Sequence, residues 1–104
     1  MSGKGTNLNI IHMKYAVEIA KVGSISKAGE NLRIAQPNLS RAIKDLESEL
    51  GITIFERTSR GMNLTPEGET FIQYATAILA QVRSIENLYK SSSRTLNRFS
   101  ISVP

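Results

Sequence analysis

The sequence predicts a mainly α-helical fold with one small β-hairpin: a helix-turn-helix carrying a hairpin wing, followed by one long dimerisation helix. Three observations predict it. Apolar residues recur at helical spacing up to Gly51, short β-compatible runs flank Thr58-Ser59-Arg60-Gly61, and apolar positions alternate four and three apart from Phe71 to Tyr89.

Residues 9–22 read as the first helix. Ile10, Met13, Val17 and Ala20 form one stripe with Ile11, Tyr15 and Ile19 beside it, so a broad apolar face belongs to the core. Gly23 ends the helix. Ser24 or Ser26 offers a hydroxyl cap to a second helix of about two turns reaching Leu32, with Ala28 and Leu32 four apart on its inner face. Gly29 inside that helix is costly by propensity, which points to a close backbone approach. After Arg33-Ile34-Ala35, Pro37 suits the first turn of a third helix, because its φ is already helical and its missing N–H would have no intrahelical partner there. Leu39, Ile43, Leu46 and Leu50 keep one face apolar, and Gly51 supplies a left-handed cap. Two helices joined by a tight turn in this way match a helix-turn-helix.

The periodicity changes between Ile52 and Thr65. Ile54-Phe55-Glu56-Arg57 and Met62-Asn63-Leu64 suit two strands of a hairpin wing. Thr65-Pro66-Glu67 then supplies a hydroxyl cap, a proline at the first helical position and a carboxylate for the dipole. The helix it opens, ending near Ser91, would be roughly 39 Å long, more than a small core covers. Its seam, Phe71, Ala75, Ile78, Val82, Ile85 and Tyr89, is widened by Ile72, Leu79 and Leu88, and a second copy of the same helix would bury it. Ser91-Ser92-Ser93 reads as a hinge or linker, and Phe99, Ile101 and Val103 alternate with polar residues like a strand, a disordered tail being the equal alternative on these residues alone. The chain therefore divides into a winged helix-turn-helix (residues 1–65), a dimerisation helix (66–92), and a hinge with the first strand of a further domain (93–104).

Composition narrows the chemistry. The 104 residues are 40% hydrophobic and 21% charged, as in ordinary globular proteins. With no cysteine and one histidine, disulfides, thiolate metal sites, a cysteine nucleophile and an imidazole cluster within the chain are all excluded. His12 and Asp45, the sole histidine and aspartate, sit in no motif that activates a serine, and no Gly-rich phosphate loop follows a strand. An enzyme, a metal site and a cofactor are therefore not expected. Thirteen Lys and Arg against nine Asp and Glu give a net charge of +4, which favours a polyanionic partner. The polar start of the chain has no apolar run of signal or membrane length behind it, so the expected location is cytoplasmic, without a membrane partner.

Charge placement points to DNA. At 100° per residue, Pro37, Arg41, Lys44 and Ser48 lie opposite the apolar stripe of the third helix. Asp45, Glu47 and Glu49 all fall in its later half, so its positive dipole end, Arg41 and Lys44 would face a phosphate backbone. Gln36 and Asn38 carry amides suited to adenine edges, Arg41 suits guanine or a phosphate, Pro37 a thymine methyl, and Ser40 a phosphate or base. Arg57 and Arg60 bracket the wing turn, within reach of phosphates or a narrow minor groove, while Ser26 and Lys27 sit where a crossing helix meets the backbone. Arg57 can equally pair with Glu56 or Asp45, and the serine can simply cap its helix. The same polar face would suit any amphipathic helix; it is the combination with a wing and a preceding short helix that favours DNA. The competing reading is a helical dimeric protein-interaction adaptor whose working surface is the long helix.

In this order, Gly23-Ser24, Gln36-Pro37-Asn38-Leu39-Ser40-Arg41-Ala42-Ile43, Leu46-Glu47, Leu50-Gly51, Phe55-Glu56-Arg57 and Leu64-Thr65-Pro66-Glu67-Gly68 resemble the N-terminal DNA-binding region of LysR-type transcriptional regulators. The resemblance implies a winged helix-turn-helix reading the major groove, linker helices paired antiparallel, and a C-terminal effector domain that senses a small-molecule inducer. It also implies a tetrameric full-length protein on an interrupted palindrome. It places DNA contacts on Gln36, Pro37, Asn38, Ser40, Arg41 and Arg60. Ala35 stands where the family usually has serine or threonine, leaving the third helix to lean on Gln36 or on phosphate. Ala28-Gly29 replaces the usual paired alanines, and residues 99–103 look like the family's first effector-domain strand.

Overall fold

The computed structural model describes residues 8–99, with side chains described for 8–90. Helices α1 (Ile10–Val22), α2 (Ile25–Leu32) and α3 (Gln36–Leu50) precede strands β1 (Phe55–Thr58) and β2 (Gly61–Leu64), and α4 (Pro66–Phe99) follows. The strands pair antiparallel, with Phe55 opposite Leu64 and Thr58 opposite Gly61.

Local chemistry sets each boundary. The Asn9 side chain accepts the N–H groups of Ile11 and His12 to open α1, and Gly23, at φ +72°, closes it in the left-handed region. Of the two serines that could cap α2, Ser24 does so, accepting the Lys27 N–H at 3.1 Å. Arg33 ends α2 at φ 60°, ψ 46°, an unfavoured conformation for a side chain with a Cβ. Backbone bonds hold this turn: Arg33 N–H is shared between the Glu30 and Gly29 carbonyls, and Ile34 N–H donates to the Gly29 carbonyl. The backbone crosses Gly29 so closely that a Cβ there would lie 2.9 Å from the Ile34 carbonyl oxygen, which is the close approach its helical position implies. Helix α3 has no side-chain cap at Ala35; Asn38 and Leu39 N–H both turn to the Ala35 carbonyl.

The core gathers Met13, Ala16 and Ile19 of α1, Ile25 and Ala28 of α2, and Leu39, Ile43 and Leu46 of α3. Ile54 and Phe55 join them from the wing, and Ala75 from α4. Glycine and proline are both absent from residues 69–99, and α4 continues through Ser91-Ser92-Ser93 to Phe99, where the sequence reading placed a hinge and the start of a strand. Serine is only moderately unfavourable in a helix, so three in a row do not stop one. Ile101 and Val103, the rest of the expected strand, lie outside the described residues.

Candidate nucleic-acid interface

Helix α3 buries Leu39, Ala42, Ile43 and Leu46 and exposes Gln36, Pro37, Asn38, Arg41 and Lys44, with Ser40 half-buried between the two faces. Its early cationic side is thus open to solvent while its apolar side is anchored in its own subunit. One groove joins three elements beside it, lined by the cap Ser24 and by Ser26 at the start of α2, Gln36 from α3, and Arg57, Arg60 and Met62 from the wing. Pro37, Asn38 and Arg41 continue outward along α3. Lys44 is exposed on the same helix and also borders a depression shared with Glu47, Ser48 and Glu67. Lys27 and Ser26 are exposed at the start of α2.

Backbone contacts set the wing's position. A Cβ at Gly61, whose φ is +119°, would sit 2.9 Å from the Gly23 carbonyl oxygen, so the wing docks directly on the turn between α1 and α2. Across the hairpin, the Thr58 hydroxyl donates to the Gly61 carbonyl and accepts from Arg60 N–H and from Asn63 Nδ2. On the other side, Glu47 Oε2 accepts the N–H groups of Ile54 at 2.8 Å and Phe55 at 3.2 Å, tying α3 to the entry of β1.

Sequence reasoning placed Glu47 only in the acidic end of α3. A signal was present: on a helical wheel Glu47 falls four residues after Ile43, at the edge of the buried stripe rather than opposite it. Glu47→Ala is expected to lower the unfolding free energy by about 2–3 kcal/mol, because two N–H groups lose their acceptor. Glu47→Gln keeps an oxygen there and should recover part of the loss; urea unfolding of the three proteins checks this.

The long helix divides its seam. Ala75 is fully buried and Phe71 half-buried against the subunit's own core, with Ile72 beside them. Ala75 therefore leaves the expected dimer seam, since the chain's own core already covers it and no surface remains for a partner. Val82 is half-buried, whereas Ile78, Ile85, Leu88 and Tyr89 are exposed. Ile10 and Ile11 are exposed as well, at the start of α1. Among the described residues, no helix is long and apolar enough to cross a membrane.

This arrangement of helices and wing has close counterparts. Residues 10–69 match the family model for the bacterial regulatory helix-turn-helix protein, lysR family. The chain belongs to the LysR family. Among relatives of this LysR-family chain, the uncharacterized HTH-type transcriptional regulator YcgK of Bacillus subtilis (strain 168) is 43% identical over 101 residues, which are 93% of this chain and 30% of that protein. The HTH-type transcriptional regulator BenM of Acinetobacter baylyi is 43% identical over 83 residues, 80% of this chain and 27% of its own length.

The chain thus spans less than a third of either relative's length. Among solved structures, the BenM DNA-binding domain in complex with catB site 1 DNA superposes with a TM-score of 0.78 at 42% identity, covering 83% of this chain and 97% of that one. A CbnR DNA-binding domain–DNA complex gives 0.75 at 28% identity over 83% of this chain and 99% of that one. The winged helix-turn-helix seen here therefore has the fold of LysR-family DNA-binding domains.

Proposed function

We propose that this chain binds double-stranded DNA sequence-specifically as a homodimer, with the first turns of α3 in the major groove and the wing on the flanking backbone. Gln36, Pro37, Asn38 and Arg41 read base edges, Ser40, Ser26 and Lys27 meet phosphates, and Arg57 and Arg60 reach phosphates or the minor groove. Lys44 adds charge at the margin. The observation that carries this reading is the solvent-open cationic start of α3 beside a groove that it shares with the wing arginines and the serines at the start of α2. Antiparallel pairing through Ile78, Val82, Ile85 and Tyr89 would set two such surfaces on an interrupted palindrome.

The proposal extends to the whole regulator. There a C-terminal domain binds a small-molecule inducer, four copies assemble, and the protein works in the cytoplasm without a membrane partner, catalysis or a cofactor. Relatives about three times as long as this chain support that extension.

Selection from random duplexes is expected to recover an interrupted palindrome, and its affinity should fall steeply with salt as phosphate-bound counterions are released. Arg41→Ala should weaken binding to the selected site by about 1–3 kcal/mol and relax preference at one base position. A chain that enriches no sequence and whose DNA binding ignores salt would overturn the reading.

A further inference from the structure

We propose that Thr58 is a positioning residue for DNA binding: its hydroxyl locks the wing turn so that Arg60 is held ready for the duplex. The inference rests on the reading above, in which the wing arginine meets DNA. It starts from a conflict in the hairpin. A two-residue connection between right-twisted strands is favoured when its central residues adopt the positive φ of primed turns, which is why glycine and asparagine dominate there. Here the connection is Ser59-Arg60, and neither residue has a positive φ; the positive φ, +119°, falls one residue later on Gly61. Glycine after the two central residues carries the turn instead, a second common hairpin geometry in which Ser59 and Arg60 themselves are not held in the primed conformation.

Thr58 supplies what the turn lacks. A hydroxyl offers one donor and two acceptor positions, and all three are used: it donates to the Gly61 carbonyl at 3.1 Å, and accepts from Arg60 N–H at 3.2 Å and from Asn63 Nδ2 at 2.7 Å. One bond fixes the backbone of the arginine itself, one the glycine after it, and one the opposite strand. Thr58 is exposed, and the Gly61 backbone it holds lies against the Gly23 carbonyl. Together these contacts fix where the tip sits relative to α2 and α3. An arginine on a floating turn would lose conformational entropy on meeting DNA, and Thr58 removes much of that cost beforehand.

The test uses the full 104-residue chain and a duplex carrying the site it selects from a random library. Thr58→Val keeps the β-branched shape and removes the hydroxyl, whereas Thr58→Ser keeps the hydroxyl. Thr58→Val is expected to weaken binding about three- to tenfold, Thr58→Ser to stay near the parent, and Thr58→Val/Arg60→Ala to bind no worse than Arg60→Ala alone. Without DNA, the Arg60 amide should exchange its hydrogen faster in Thr58→Val while the amides of α3 keep their protection.

Unchanged binding in Thr58→Val, or losses that add in the double variant, would overturn the role of Thr58 and leave the wing contact standing. No loss in Arg60→Ala would remove the wing contact, and the Thr58 proposal with it. Faster exchange throughout α3 would make Thr58 a residue of the fold rather than of the turn.

Discussion

Replacing Gly68 with alanine is expected to lower the unfolding free energy by roughly 3 kcal/mol or more, the largest effect on the fold of any one-methyl change considered for this chain. Gly68 lies buried in the first turn of α4, where a Cβ would collide with the Ile54 carbonyl oxygen and crowd that residue's carbonyl carbon and Cα. The obstacle is backbone, which no rotamer change can clear. Ile54 is also fixed from other directions: Glu47 accepts its N–H, Thr65 N–H donates to its carbonyl at 2.9 Å, and its side chain is fully buried.

The helix start above it is equally committed. The Thr65 hydroxyl accepts Gly68 N–H at 2.8 Å and contacts the Thr53 carbonyl oxygen. Accommodating the methyl means separating α4 from the base of the wing and loosening that cap. Gly51→Ala is the informative comparison, because its φ is +71° but nothing lies within 4 Å of an added Cβ. It should cost only about 1 kcal/mol of backbone strain. Thermal unfolding ranks the two, with Gly68→Ala falling by about 10 °C or more. Equal losses would mean that the α4 start yields where the packing says it cannot.

That comparison also separates what was legible in the sequence from what was not. Features written by one residue's own conformational preference could be read: Gly23 and Gly51 stop helices, Thr65-Pro66 starts one, and the three- and four-residue spacing of α3 marks its buried face. In α1 the same reading goes astray, because the buried face is Met13, Ala16 and Ile19, Ala16 belongs to neither apolar stripe, and Ile10 and Ile11 are exposed. The exposed cationic start of α3 followed from the same spacing, since fixing the apolar stripe fixes what lies opposite.

Features that depend on two segments meeting were out of reach. Nothing near Gly68 in the sequence announces that the Ile54 backbone will cross it, and nothing near Glu47 announces that two strand N–H groups will need its carboxylate. Arg33 in the left-handed region illustrates the same limit. The turn into α3 demands that conformation, and tertiary contacts override the preference of an ordinary residue. Lys44 shares the exposed face of α3 with Arg41, and it also borders a depression flanked by Glu47 and by Glu67, which α4 contributes.

The seam of α4 gives the sharpest instance and the second large prediction. Ala75 and Ile85 occupy the same periodic stripe, so sequence alone treats them alike, but Ala75 is 0% exposed in a single subunit and Ile85 is 53% exposed. An aspartate at each should therefore fail in opposite ways. Ala75→Asp would put a carboxylate among apolar side chains and is expected to unfold the chain. Ile85→Asp leaves the subunit's own core untouched, so its helical content and core packing should match the parent.

What Ile85→Asp should lose is the partner, because the proposed pairing would bury its charge among Ile78, Val82 and Tyr89. Light scattering is then expected to show the monomer mass. Affinity for the selected palindrome should fall about a hundredfold or more, since the second half-site is no longer engaged from a tethered copy. Binding to a single half-site should hardly change, which distinguishes lost pairing from a damaged reading surface. A dimer that survives Ile85→Asp would move the subunit contact off this stretch of α4 and onto another surface, with the exposed Ile10 and Ile11 at the start of α1 next to be tested.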